Sequence, residues 1–180
     1  MRKLSKIRQV RCDIQLVKKR VCSTDVARSI ETIWCDRESR LRQNPEILSW
    51  AKETGLKQYT QDETPWCGLF MAVISKRAGK PLPKSPLWAR DWAKWGSPCE
   101  PELGCVLVFE RGSGGHVGLY VGEDLECCHV LGGNQGDKVC VTRIKKGRLL
   151  ASRNLYVIGK PNNVRRIFLS PTGAISTNEV

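Results

Sequence analysis

Thr64–Phe70, read TPWCGLF, is the stretch around which this 180-residue chain is organised. Thr64 is a good helix N-cap, and Pro65 suits the first helical position after it. Trp66, Leu69, Phe70, Val73 and Ile74 recur at the spacing of one buried helical face. The pattern predicts a helix running to about Arg77, with Gly79 stopping it. Cys67 then lies in the first turn, near the positive end of the helix dipole. There a thiolate is stabilised and the thiol pKa falls below its free value of ~8.5. A structural core cysteine has the same local pattern, since cysteine is among the most buried residue types. What lies downstream decides between the two.

A cysteine nucleophile needs a base, and the base needs a third group to aim it. The chain holds only 2 histidines, so the search is short. His116 opens a predicted strand, in GHVGLY, directly after the Gly112–Gly115 turn. That position sets an imidazole at a sheet rim, with small neighbours in Gly114, Gly115 and Gly118. His129 sits inside the apolar run CCHVL, where a packed histidine accounts for it, so His116 is the favoured base. The aiming group is expected from LGGNQGD. Gly132 and Gly133 allow close backbone approach. Asn134 ends the third predicted strand, and antiparallel pairing can bring its side-chain oxygen to an imidazole N–H. Gln135 points the other way if the chain is still extended there. The Cys67 amide at the helix start is a candidate oxyanion donor. Tyr59, Gln61, Trp66 and Gln135 are the further candidates for oxyanion or substrate contact.

The whole-chain properties bound these expectations. Apolar residues make up 41% and charged residues 27%, a globular composition. There is no apolar run of the ~18 residues a membrane span requires. The N-terminus is basic but lacks the apolar stretch and cleavage site of a secretory signal, so synthesis in the cytoplasm is expected and action outside it needs another exit route. The net charge of +12 favours a polyanionic partner, whether nucleic acid, anionic lipid or an anionic wall polymer. Residues 1–44 contribute 12 Lys/Arg against 5 Asp/Glu. The 9 cysteines contain no CxxC pair, and adjacent Cys127 and Cys128 would face opposite sides of a strand, so no metal site is expected. Without a signal peptide, reduced thiols are the default.

Taken in order, residues 1–43 read as a basic, partly helical extension, with a helix over 24–42. Asn44-Pro45 starts a second helix lined by Ile47, Leu48 and Ala51 and ended by Gly55. The Cys67 helix follows. Ser85-Pro86 is expected to open a short helix on which Trp88, Trp92 and Trp95 share one face, either as core or as an aromatic wall for substrate. From Gly104 the period changes. Cys105–Glu110, His116–Gly122, Glu126–Leu131, Lys138–Arg143 and Asn154–Ile158 read as strands joined by short connectors. Helices first and an antiparallel meander of about five strands after them make an α+β layout. Residues 161–180 read as a tail, leaving 44–160 as the working domain.

DETPWCGLF, then GHVGLY, then VLGGNQGDKV, with NPEILSW and LWARDWAKWG between and before them, resembles the CHAP-related, NlpC-type family of papain-like cysteine peptidases and amidases found in phage lysins and bacterial cell-wall hydrolases. The likeness spans about Asn44 to Tyr156. It implies a papain-like fold and hydrolysis of amide bonds in peptidoglycan, at the sugar–peptide junction or within the peptide stems. Cys67 matches the family nucleophile, His116 the base and Asn134 the polar third residue. It implies no cofactor, no metal, and action at the cell wall after release or delivery. No separate wall-binding domain accompanies the match, and the basic face could substitute for one by attraction to anionic wall polymers. Two other functions stay open on the residues alone. One is acyl transfer to an amine on the same thiol. The other is a basic nucleic-acid-binding module, against which stands the lack of any RNP-like, zinc-finger or helix-turn-helix signature.

Overall fold

The computed structural model describes residues 44–61, 64–156 and 159–179. The basic extension over 1–43, with the helix expected at 24–42, lies outside the described residues.

Helix α1 spans Pro45–Thr54. The Asn44 side chain caps it by accepting from the Glu46 N–H at 2.9 Å, and Gly55 ends it in the left-handed region at φ 77°. Helix α2 spans Cys67–Arg77 and starts later than its sequence suggests. Its N-cap is Trp66, with no side-chain cap bond, so Thr64 and Pro65 precede the helix. Cys67 is therefore the first helical residue. Every side chain from Cys67 to Ser75 is buried, not one face only. Such a helix is central, covered on all sides. Trp50 of α1 packs its ring 6.0 Å from Trp66 and 6.2 Å from Phe70. Arg77 clamps Glu53 through Nε and NH2 at 2.8 and 2.7 Å, joining the two helices at their far ends.

The tryptophan stripe divides. Ala89–Lys94 is a 3-10 helix, preceded by Trp88 and closed by Trp95. At three residues per turn, Trp92 and Trp95 eclipse each other while Trp88 is rotated away. Trp92 and Trp95 are core, their indole N–H groups donating to Pro86 O and Pro81 O at 2.8 and 2.7 Å. Trp88 is 73% exposed.

The strands are β1 (Ser97–Pro98), β2 (Val106–Arg111), β3 (Gly114–Glu123), β4 (Cys127–Gly132), β5 (Cys140–Lys145), β6 (Leu149–Asn154) and β7 (Ile175–Ser176). They form one sheet in the order β1-β6-β2-β3-β4-β5-β7. All neighbours are antiparallel except β5 and β7. The layout is α+β, and β2 to β5 form the expected meander. The last strand does not continue it. β6 lies at 149–154 where 154–158 was expected, and it returns to the outer side of β2, pairing Leu107 with Ser152. The edge of β5 is taken by β7 instead, which gives residues 161–179 a part in the fold. Ile167 is buried, and its carbonyl accepts from the Glu123 N–H at 2.8 Å.

Alternation along β2 separates the two faces of the sheet. Val106 and Val108 join α1, α2 and Val117, Leu119 and Leu131 in the main core. Leu107 and Phe109 join Tyr120, Cys128, Val130 and Ile144 in a second cluster. The main core supplies most of the burial, and the tip of α2 is set into it at the level of β3.

Candidate active site

Cys67 is 2% exposed, and the backbone amides of Val117 on β3, of Gly68 and of Cys67 itself favour its thiolate. Gly68 makes the fit of the helix tip possible. A Cβ there would lie 2.5 Å from Pro86 O and 2.6 Å from Leu87 O. Burial pushes the Cys67 thiol up, against the lowering effect of the Val117 N–H, the Arg111 guanidinium and the helix-tip amides. This reverses the expectation of a depressed thiol. The dipole and amide terms are present, but desolvation of the anion outweighs them.

His116 sits opposite Phe109 of β2 and is 0% exposed. Its Nε2 is 3.0 Å from Gln135 Oε1. The Gln135 amide nitrogen donates to Val130 O and Gly132 O, each at 3.3 Å, and to Cys140 O. With the NH2 group committed to carbonyls, the facing atom must be the oxygen, which only accepts. Nε2 therefore carries the proton, and Nδ1 is left with its lone pair. That Nδ1 is buried with no hydrogen-bond partner among the described residues. Burial lowers the His116 pKa to about 4, with Arg111 and Arg148 adding to the fall while Glu179 and the Gln135 bond oppose it. At rest the thiol and the imidazole are each neutral, and the sheet separates them: His116 shares the face of Phe109, and Cys67 lies in the main core on the other face.

The side chain that meets the imidazole is thus Gln135, the neighbour of the one expected. Asn134 is buried but has φ 58°, and the turn it makes ends the extended chain. The alternation that would aim Asn134 at the imidazole fails there, and Gln135 takes the position. Two glycines hold the arrangement together. A Cβ on Gly132 would lie 3.0 Å from both His116 Nε2 and Gln135 Oε1. One on Gly133 would lie 2.6 Å from Phe70 Cβ and from the ring of Trp66, the N-cap that precedes Cys67. The Gly132–Gly133 pair is the seam between the imidazole side and the thiol side.

Two charged groups complete the surroundings. Arg111, at the end of β2, acts electrostatically on both Cys67 and His116, and its NH1 is buried without a partner among the described residues. Glu179, 1% exposed, is gripped by Arg148 through both oxygens at 2.8 Å and acts on His116. Burial alone would raise the Glu179 carboxyl, but Arg148 and His116 hold it below its ordinary value. Neither Arg111 nor Glu179 was visible as a site residue in the sequence. Arg111 sits beside a hairpin, and Glu179 is 63 positions from the imidazole it faces.

The remaining candidates fall away from the chemistry. Tyr59 is core, with its hydroxyl donating to Thr64 O at 3.0 Å. Gln61 is exposed. Trp66 is buried against Trp50, its indole N–H without a partner among the described residues. His129 is structural: its Nε2 meets Asp124 Oδ2 at 2.8 Å, and Arg143 holds the same oxygen at 2.9 Å. Among the described residues no cluster of His, Cys, Asp and Glu could hold a metal ion, and no helix is long and apolar enough to cross a membrane. No family model, no curated protein and no solved structure matches this chain.

Proposed function

We propose that this chain is a cysteine peptidase or amidase of papain-like fold that cleaves amide bonds of peptidoglycan through a Cys67 acyl-enzyme. What supports the proposal is the buried Nδ1 of His116, left without a partner among the described residues by the Gln135 bond; the imidazole lies on the Phe109 face of the sheet and Cys67 in the core on the opposite face, so the structure does not bring the two side chains into contact. A neutral imidazole with one nitrogen clamped and the other open is what a general base requires.

In the mechanism, Sγ attacks the scissile carbonyl and its proton passes to Nδ1, a transfer that requires the tip of α2 and the start of β3 to move on substrate binding, because His116 shares the face of Phe109 while Cys67 belongs to the core on the other face of the sheet. The amides at the tip of α2 stabilise the sulfur anion first and the tetrahedral oxyanion after it. The Gln135 oxygen holds the Nε2–H and the ring orientation. The Glu179 carboxylate offsets the imidazolium. His116 then returns its proton to the leaving amine, and a water deprotonated by His116 releases the acyl group from sulfur. No cofactor takes part. The net charge of +12 suits attraction to anionic wall polymers around the substrate.

The near-complete burial of both residues favours a second reading, acyl transfer to an amine in place of water. Mass spectrometry of muropeptides digested with and without an added amine tests both. New termini at a peptide or sugar–peptide amide support hydrolysis, amine adducts support transfer, and unchanged muropeptides reject both.

A further inference from the structure

Away from this site, two other cysteines stand in sulfur-to-sulfur contact. Cys99 follows β1, Cys105 precedes β2, and their Sγ atoms are 3.1 Å apart. Both are free thiols. Their backbones are tied from several directions. The Cys99 N–H donates to Ser152 O at 3.2 Å, and the Cys105 carbonyl accepts from the Tyr120 N–H at 2.8 Å. The loop between them is pinned as well, by Leu103 N–H to Arg165 O and Gly104 N–H to Tyr120 O, both 3.0 Å. Glu102 within that loop accepts from the Tyr156 hydroxyl at 3.0 Å and pairs with Lys160. The two sulfurs are held near each other by main-chain bonds on β3, β6 and the C-terminal segment, so their approach is a property of the fold.

We propose that Cys99 and Cys105 form a dithiol modification site, closed to an intrachain disulfide by a low-molecular-weight disulfide of the glutathione type. Cys99 is half-buried and Cys105 buried, so exchange enters at Cys99. The Cys99 thiolate attacks one sulfur of the reagent; the reagent's S–S bond breaks and its first thiolate leaves. Cys105 gives up its proton and attacks the Cys99 sulfur, and the second reagent thiolate leaves. The protein loses two hydrogens and the reagent disulfide becomes two thiols. Burial, then the neighbouring Cys99 thiol, hold the Cys105 thiol up, and capping Cys99 removes the second of these. The site is independent of Cys67 and of the proposed hydrolysis.

The full folded chain is incubated with oxidised glutathione at neutral pH, then digested without reduction by a protease that cuts after glutamate. Glu100 and Glu102 lie between the two cysteines, so cleavage separates them unless sulfur joins them. The expected product is a linked pair of peptides, two hydrogens lighter than the free thiols together. Cys105→Ser is expected to keep a stable glutathione adduct on Cys99, and Cys99→Ser to leave Cys105 unmodified. A persistent adduct on Cys99 of the unsubstituted chain would overturn the proposal, as would two free thiols there after other cysteines have reacted. Circular dichroism checks the fold of each variant, and the unsubstituted chain alone decides if either fails to fold.

Discussion

Gln135 Oε1 accepts from His116 Nε2 at 3.0 Å, and the three carbonyls around the Gln135 amide nitrogen make that orientation the only consistent one. The bond sets the tautomer of the histidine, and with it the nitrogen available for chemistry.

Replacing Gln135 by alanine therefore frees the ring and the tautomer together. Turnover of peptidoglycan is expected to fall by about 10²-fold, within the usual range for general-base contributions. Asn134→Gly retains the positive φ at that position and is expected to keep activity near that of the unsubstituted chain. Clearing of a peptidoglycan suspension measures both. The opposite ranking would return the third role to Asn134.

Cys67→Ala and His116→Ala are each expected to abolish clearing while the circular dichroism spectrum is kept. Residual activity in such variants falls by about 10³-fold or more when nucleophile and base act as a unit. His129→Ala removes the hydrogen bond to Asp124 and is expected to cost stability with turnover largely intact. Full clearing by Cys67→Ala would end the assignment.

The pH dependence follows from His116. Its pKa is lowered to about 4, so the neutral base is present above that value and lost below it. The acid limb of kcat/KM is expected near pH 4 and not near the ordinary ~6.5 of histidine. Stability has the same sign. The unfolded chain binds the proton below about 6.5 while the folded chain refuses it down to about 4, so stability falls as pH drops through that window. The difference in urea midpoint between the unsubstituted chain and His116→Ala, followed from pH 7 to 4, checks it. Arg111→Met removes a charge that lowers the His116 pKa, so the acid limb is expected to move upward.

Alkylation reports the resting state of the thiol. Because burial raises the Cys67 pKa and hides its sulfur, iodoacetamide at neutral pH is expected to label half-buried Cys99 and Cys140 before Cys67. Peptide mapping over time gives the order. Cys67 reacting first would mean a thiolate already formed at rest.

The glycine seam is testable by packing. Gly133→Ala forces a methyl to within 2.6 Å of Phe70 and Trp66 and is expected to cost about 1–3 kcal/mol. Gly136→Ala meets nothing within 4 Å, but its φ of 62° strains any side chain, so its smaller loss separates backbone strain from collision. Thermal or urea unfolding of the two variants gives the comparison.

Local pattern alone determined much of this protein. Asn44-Pro45 and Gly55 bound α1 because a cap and a left-handed stop act within a few residues. The α+β order, the β2–β5 meander and the choice of Cys67 and His116 for attention came from period and from the scarcity of histidine. Tertiary structure alone decided the rest. Gln135 displaced Asn134 because one residue at positive φ broke the alternation. The tryptophan stripe split because the helix wound at three residues per turn. β6 crossed to β2, and Glu179 reached His116 from the far end of the chain. The Cys67 thiol rose where the helix tip alone would lower it. Burial is set by every element packed around a site, and no short stretch of sequence carries that sum.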